Sequence, residues 1–482
     1  MAAFRQLLSF PAKCAILALA ITWPTGPVEA VEAVELLERK IIKAGTSGDF
    51  KQFRRILVSP TVNPPEPFEG FGGFCGWPKI CRLQNGDLFV GFGAGYWHAS
   101  WPTPFEKHTS PRYAEYLYGK IGWLKKWNAP TGGRIMWIRS KDSGKTWSRP
   151  KSFPVVPGVY APGTIAQLRD GTMLCAALIQ LGYGYQRYLT PEPLEYARAV
   201  ADRFPMKIVL FRSDDNGDTW REASRFPAPI LFTGHVHTLI ESPDGGVLML
   251  VCGVPLSSGK EWGNKEERWV SAIVRSEDQG VTWNTISVFG SNDFDVEEGS
   301  LAYLPDGSIG TFSRCTSAWF QSYDHGHTWS EPRMLFAGAS NAARALYIKG
   351  DLVVTADGIT VAVFCAVASG LGGKGQVIYS RDSGKTWVMP AADRGFTFDP
   401  MSYYPQACVL ADGSIFAVGD HQGFKNKFGP YGAEVPAMRF RIKTPHEGEG
   451  IELLPIGGPP VSAAKTTAGA AASANGVLDG GR

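Results

Sequence analysis

Three features of the sequence predict an all-β chain folded as a six-bladed β-propeller. An octet recurs five times, apolar hairpins recur ahead of the octets, and no long amphipathic helical pattern interrupts them. The octet reads Ser-x-Asp-x-Gly-x-Thr-Trp and stands at Ser140 to Trp147, Ser213 to Trp220, Ser276 to Trp283, Ser322 to Trp329 and Ser380 to Trp387. Each copy follows a β-rich run, as at Ile135 to Arg139, Ile208 to Arg212, Ala272 to Arg275 and Val377 to Tyr379, so each belongs at a hairpin turn. There the Asp accepts bonds from turn amides, the Gly supplies a positive φ and the Trp packs under the next strand, which makes these residues structural.

The second repeat is an apolar strand, an Asp-Gly-like turn and a second apolar strand. It stands at Asn85-Gly86, Asp170-Gly171, Asp244-Gly245, Asp306-Gly307 and Asp412-Gly413, with a degenerate version around Gly350 to Asp357. Six such hairpins mean six blades of four strands, with the hairpin turns and octet turns on one face of the disc. Function belongs on the opposite face, where the innermost strands begin and a central pocket forms.

The flanks differ from this pattern. Arg5 and Lys13 precede an apolar core from Cys14 to Ile21, and small residues end near Ala30, the layout of an export signal over residues 1–30. Residues 31–60 read as a short N-terminal helical lead-in, with apolar positions at Val34, Leu37, Ile41 and Ile42 and the pattern running to Leu57. The propeller is expected over 61–455, and the Gly-, Ala-, Ser- and Thr-rich residues 456–482 form a disordered tail. Secretion or a periplasmic location follows from the leader, and no apolar run reaches the ~20 residues of a spanning helix.

With 482 residues, 44% of them hydrophobic and 19% charged, the chain buries a large core; a net charge of +3 offers no footprint for nucleic acid or a membrane surface. Removal of Cys14 with the leader leaves seven of the eight cysteines, several in apolar runs as small core residues. A Cys75 to Cys81 disulfide is conceivable, but no spacing demands a framework or a zinc site, and no metal or cofactor is expected in the chemistry.

Each turn Gly serves as a ruler. Nine residues before it lies the mouth of an innermost strand, and seven after it the mouth end of the partner strand. Blade four gives Glu298 and Arg314, and blade six gives Tyr404 and Asp420. Blade three gives Val236 between His235 and His237; Tyr160 lies near the mouth of blade two and Trp77 at that of blade one. Such a rim is not a packing set, although an Arg314 to Glu298 ion pair closing an inert pore accounts for part of it.

At these residues, over roughly Phe74 to Ile442, the chain resembles the sialidase (neuraminidase) superfamily. The resemblance implies an octet-bearing (Asp-box, or BNR-repeat) propeller that hydrolyses terminal sialic acid. A Tyr nucleophile is activated by a Glu, an Asp serves as acid/base, and three arginines hold the sugar carboxylate. Tyr404, in Tyr403-Tyr404-Pro405-Gln406, matches the nucleophile, and Glu298 and Arg314 match the paired Glu and second Arg. A tyrosine of ordinary pKa near 10 needs a carboxylate to take its proton, and Arg offers a bidentate partner to a substrate carboxylate.

Departures accompany the matches. Cys75-Gly76-Trp77-Pro78 keeps the proline of the first-arginine motif but puts Gly76 where the arginine stands. For the third arginine the chain offers Lys374 or Arg344. No Asp occurs from Leu88 to Lys141, where the acid/base is expected; that interval is an aromatic-rich insertion containing His98, Glu106, His108, Arg112 and Glu115. Glu106 and Glu115 are the candidate replacement acids. Three function classes remain open: an exo-glycoside hydrolase on sialic acid or a related acidic sugar, a lyase in which Tyr404 or a histidine near 235 and 237 abstracts a proton, and a sugar-binding propeller without catalysis. All three have a glycan as partner.

Overall fold

The computed structural model describes residues 50–68, 71, 73–95, 133–156, 159, 161–179, 207–227, 232–254, 268–314, 316–336, 349–366, 374–391, 394–399, 403–423 and 432–457. After a four-residue helix, α1 (Phe50–Phe53), the chain enters strand β1 (Arg55–Val58) and then builds six antiparallel sheets. Blade one is β2 (Phe74–Arg82), β3 (Leu88–Gly95), β4 (Arg134–Ser140) and β5 (Lys151–Ser152). Blade two is β6 (Thr164–Gln167), β7 (Met173–Ile179), β8 (Lys207–Ser213) and β9 (Arg221–Pro227). Blade three is β10 (Phe232–Glu241), β11 (Val247–Val254), β12 (Val270–Ser276) and β13 (Asn284–Phe289). Blade four is β14 (Leu301–Tyr303), β15 (Ile309–Phe312), β16 (Ala318–Ser322) and β17 (Arg333–Met334). Blade five is β18 (Lys349–Val354), β19 (Thr360–Ala366), β20 (Lys374–Ser380) and β21 (Phe396–Asp399).

Blade six, β22 (Tyr403–Val409), β23 (Ile415–Gly423) and β24 (Gly432–Ile442), takes its outer edge from both ends of the described chain. Arg55 to Val58 of β1 pair with Ala437 to Val435, and Ile451 to Leu454, strand β25, pair with Ile442 to Arg439. The lead-in expected to be helical through Leu57 is therefore extended from Arg55 onward. Leu57 and Val58, 2% and 0% exposed, join the core between blades six and one, and this cross-chain pairing overrides the local helical pattern. The fifth first-hairpin turn, expected to be degenerate, is a full member: Gly358 donates to the Thr355 carbonyl, as Gly86 does to Leu83 and Gly413 to Leu410.

The octets form one repeated turn. In blade five the Ser380 hydroxyl donates to Asp382 Oδ1 at 2.8 Å and accepts the Gly384 amide at 2.8 Å. Asp382 in turn accepts the Thr386 amide and hydroxyl at 2.8 and 2.6 Å. The residue before each octet glycine and the glycine itself have positive φ, as at Ser383 (58°) and Gly384 (79°). A Cβ at Gly384 would also lie 2.6 Å from Cζ2 of Trp319 in blade four, so the glycine is required both by its turn and by the neighbouring blade. The octet Trp220 is only partly buried, packing on Phe89 and Phe153 at centroid distances of 5.8 and 4.4 Å.

The octet carboxylates carry a prediction. Partial burial alone would raise the pKa of Asp215 and Asp324, but bonds from Thr219 and Thr328 and from Ser213 and Ser322 outweigh it and hold both at about 2. A carboxylate depressed in the folded state adds stability above its unfolded pKa of about 3.9, and that contribution is lost as pH falls through the folded value. Acid unfolding followed by far-UV circular dichroism should accordingly draw on this window between about pH 4 and 2. The double variant Thr219→Val, Thr328→Val should unfold at higher pH than the parent; coincident acid transitions would remove these bonds from the account.

Where innermost strands of adjacent blades meet, side chains link them. Lys79 Nζ donates to Gln406 Oε1 (3.2 Å), Gln406 Nε2 to the Gly350 carbonyl (3.4 Å) and the Ala407 amide to Asp351 Oδ2 (3.2 Å). Ser300 Oγ donates to Asp351 Oδ1 (2.6 Å), Thr238 Oγ1 bonds Ser300 Oγ (3.1 Å) and Thr164 Oγ1 accepts the Leu239 amide (3.1 Å). Burial pushes the Asp351 carboxyl up, against the opposing pull of Ser300, Lys79 and two backbone amides. This belt joins β2, β22, β18, β14, β10 and β6 and holds the strand mouths in fixed relation.

Candidate active site

Three mouths share an uncommon backbone. Trp77, Glu298 and Tyr404 have φ of 50°, 48° and 46°, the left-handed region that bulky residues rarely enter. All three lie nine residues before their turn glycines, Gly86, Gly307 and Gly413. In blades one and six the strand register shifts there, between Gly76 and Lys79 and between Tyr403 and Gln406. Pro78 and Pro405 occupy the shifts, and a residue without an N–H loses no ladder bond at a bulge. The bulges re-aim Trp77 and Tyr404, and strain of this kind collects at functional sites.

Blade four contributes an ion pair. The Arg314 amide donates to the Glu297 carbonyl at 2.8 Å, which brings the ends of the first hairpin together. The Arg314 guanidinium then lies 2.9 Å from Glu298 Oε1 and 4.0 Å from Glu297 Oε2. Glu298 is 1% exposed and Arg314 13%. The Glu298 amide donates to Cys252 Sγ of blade three at 3.2 Å.

Blade six adds Tyr404 and Asp420. Burial pushes the Tyr404 hydroxyl far above its ordinary pKa; Arg314 pulls it down, and Glu298 and Asp420 push it further up. Arg314, Glu298 and Asp420 thus lie within electrostatic reach of Tyr404, which is protonated at neutral pH. Asp420, opposite Tyr403 and fully buried, accepts the Trp77 amide at 3.1 Å on Oδ2 and so ties blade six to blade one.

The remaining candidates fall in several places. His237 is buried on β10, where its carbonyl receives Lys79 Nζ at 3.5 Å. His235 lies on the same strand opposite Cys252, with its side chain outside the described residues. Lys374 is buried at the start of β20, opposite Ala366. Tyr160, Arg344, Glu106 and Glu115 lie outside the described residues, as do His98, His108 and Arg112. Glu297, one residue before the ruler position, joins the site, and the Glu-Glu pair at 297–298 is its signal in the sequence. Cys75 and Cys81 are free thiols six residues apart on β2, roughly 20 Å along an extended strand, so the conceivable disulfide between them does not form.

Six four-stranded antiparallel blades in this order are found in known proteins. The chain is 29% identical over 171 residues to sialidases from two Vibrio cholerae strains. Its fold is that of a sialidase-like propeller. That match covers 30% of this chain and 22% of the relatives, so the chain spans about a fifth of the length of the curated proteins it matches. Among solved structures, a leech intramolecular trans-sialidase superposes with a TM-score of 0.51 at 13% identity, covering 77% of this chain and 68% of that one. A Dyadobacter fermentans protein of unknown function also superposes with a TM-score of 0.51, at 17% identity over 80% of this chain and 98% of that one. No family model matches the sequence. These likenesses show the sialidase-like fold.

Proposed function

We propose that this sialidase-like propeller is an exported exo-glycoside hydrolase that removes a terminal sialic acid or related acidic sugar. The observation that carries the reading is the convergence of Tyr404, Glu298 and Arg314 at one mouth, on two strained backbones and one ion pair. In the proposed reaction Glu298 accepts the Tyr404 proton as the phenolic oxygen attacks the anomeric carbon. The bond to the leaving oxygen breaks, and that oxygen takes a proton from an acid, for which Glu106 and Glu115 are the candidates. Water then releases the sugar from Tyr404, by the two-step logic of a retaining glycosidase. Arg314 receives the sugar carboxylate and, through its 2.9 Å contact, holds the Glu298 carboxylate in place. The leader over residues 1–30 supports export, and no described helix is long and apolar enough to cross a membrane.

The test is mass spectrometry of products after incubation with sialosides and with uronic-acid oligosaccharides. Free terminal sugar with water added supports the reading. An unsaturated product replaces it with a lyase, and binding without product replaces it with a carbohydrate-binding propeller.

A further inference from the structure

The first blade shows what occupies the place of the missing cationic arm. A Cβ at Gly76 would lie 2.6 Å from Cζ of Phe74 and 3.0 Å from Oδ2 of Asp420, so position 76 accepts no side chain while the ring and the carboxylate stay where they are. That Asp420 oxygen already receives the Trp77 amide. The bond fixes the one residue of the corner whose backbone is left-handed, with φ of 50°. The half-buried Trp77 ring stands 4.4 Å from the Phe74 ring, centroid to centroid, at 47°. An aromatic corner braced by a buried carboxylate thus fills the position. The Arg314 guanidinium, meanwhile, already faces Glu298 at 2.9 Å and Glu297 at 4.0 Å.

We propose that Trp77 is a specificity-determining stacking platform, set by Asp420, and that the mouth holds a terminal pyranose by its apolar C–H face as well as by the Arg314 contact to its carboxylate. This rests on the hydrolase reading only in taking the mouth as the sugar site. An indole face matches the apolar face of a pyranose and is indifferent to the sugar's charge. One charge-assisted contact discriminates acid from alcohol by only about 10- to 100-fold, given its worth of roughly 1.5–3 kcal/mol. The substrate class is therefore an acidic pyranose whose neutral, carboxylate-reduced counterpart is still bound. Asp420 is a positioning residue, acting through the Trp77 amide.

Isothermal titration of the Tyr404→Phe protein, which cannot complete the proposed turnover, with the methyl glycosides of an acidic sugar and of its carboxylate-reduced alcohol measures the platform directly. Added Trp77→Ala should weaken both ligands by the same factor of about ten or more, and Trp77→Phe should restore most of the loss. Asp420→Asn, which keeps an acceptor for the Trp77 amide, should retain affinity, whereas Asp420→Ala should behave as Trp77→Ala does. Unchanged affinity in Trp77→Ala, or loss of more than about 1,000-fold on reduction of the carboxylate, overturns the proposal. Trp77-dependent binding in a wild-type protein that releases no product keeps the platform and sinks the hydrolase. Turnover with Trp77-independent affinity does the reverse.

Discussion

Tyr404→Phe should lower kcat on any cleaved glycoside by at least about three orders of magnitude, because in the proposed reaction the phenolic oxygen of Tyr404 forms the glycosyl intermediate. The argument is local. Burial keeps the phenol protonated, Glu298 is a buried carboxylate within electrostatic reach of it, and Arg314 pairs with that carboxylate at 2.9 Å. Removing one oxygen at the mouth leaves the apolar clusters between blades untouched, so the melting temperature should move by less than about 2 °C. Stopped assays on purified wild-type and variant protein, paired with thermal melts, read both effects. A variant that retains activity removes Tyr404 from the chemistry; one that loses activity together with several degrees of melting temperature assigns the effect to folding.

Trp319→Ala should cost about 3–5 kcal/mol. Trp319 is 2% exposed on β16 and lies against Trp387 at 5.1 Å between ring centroids. It fills the space that a Cβ would need at Gly310, 2.3 Å away, and at Gly384, 2.6 Å away. Two glycines, one from its own blade and one from the next octet, have conceded room to a single indole, so truncation opens a cavity lined by two backbones that cannot readily collapse. Urea unfolding should show a lower midpoint with an unchanged slope. A loss below about 1 kcal/mol would undermine the packing described between blades four and five. Trp220→Ala, in a partly buried octet position, should cost less than Trp319→Ala in the same assay.

Much of the architecture was legible because a propeller repeats its local chemistry. A Ser-x-Asp-x-Gly-x-Thr-Trp turn closes on itself through bonds among its own residues, so its sequence suffices to recognise it, and equal spacing from turn to mouth located Glu298, Arg314, Tyr404 and Asp420. The ruler worked because strands rise by a constant length per residue and side chains alternate faces. It was blind where pairing is made by distant parts of the chain. Residues 55–58 carried a helical pattern, yet they are a strand, since the open edge of β24 offers them hydrogen bonds and an apolar seam.

What the sequence by itself determined is the blade count, the turn chemistry and the identity of the mouth residues, all of which depend on neighbours in the chain. Only the tertiary structure decided which of those residues meet. The coupling of Glu298 and Arg314 to Tyr404, the reach of Asp420 to the Trp77 amide and the exclusion of a side chain at Gly76 by Asp420 each join residues from separate blades. The physical reason is closure of the ring. Blade six meets blade one only after the whole disc has formed, so contacts across that seam, between residues 343 positions apart in the case of Trp77 and Asp420, follow from geometry that no local pattern encodes.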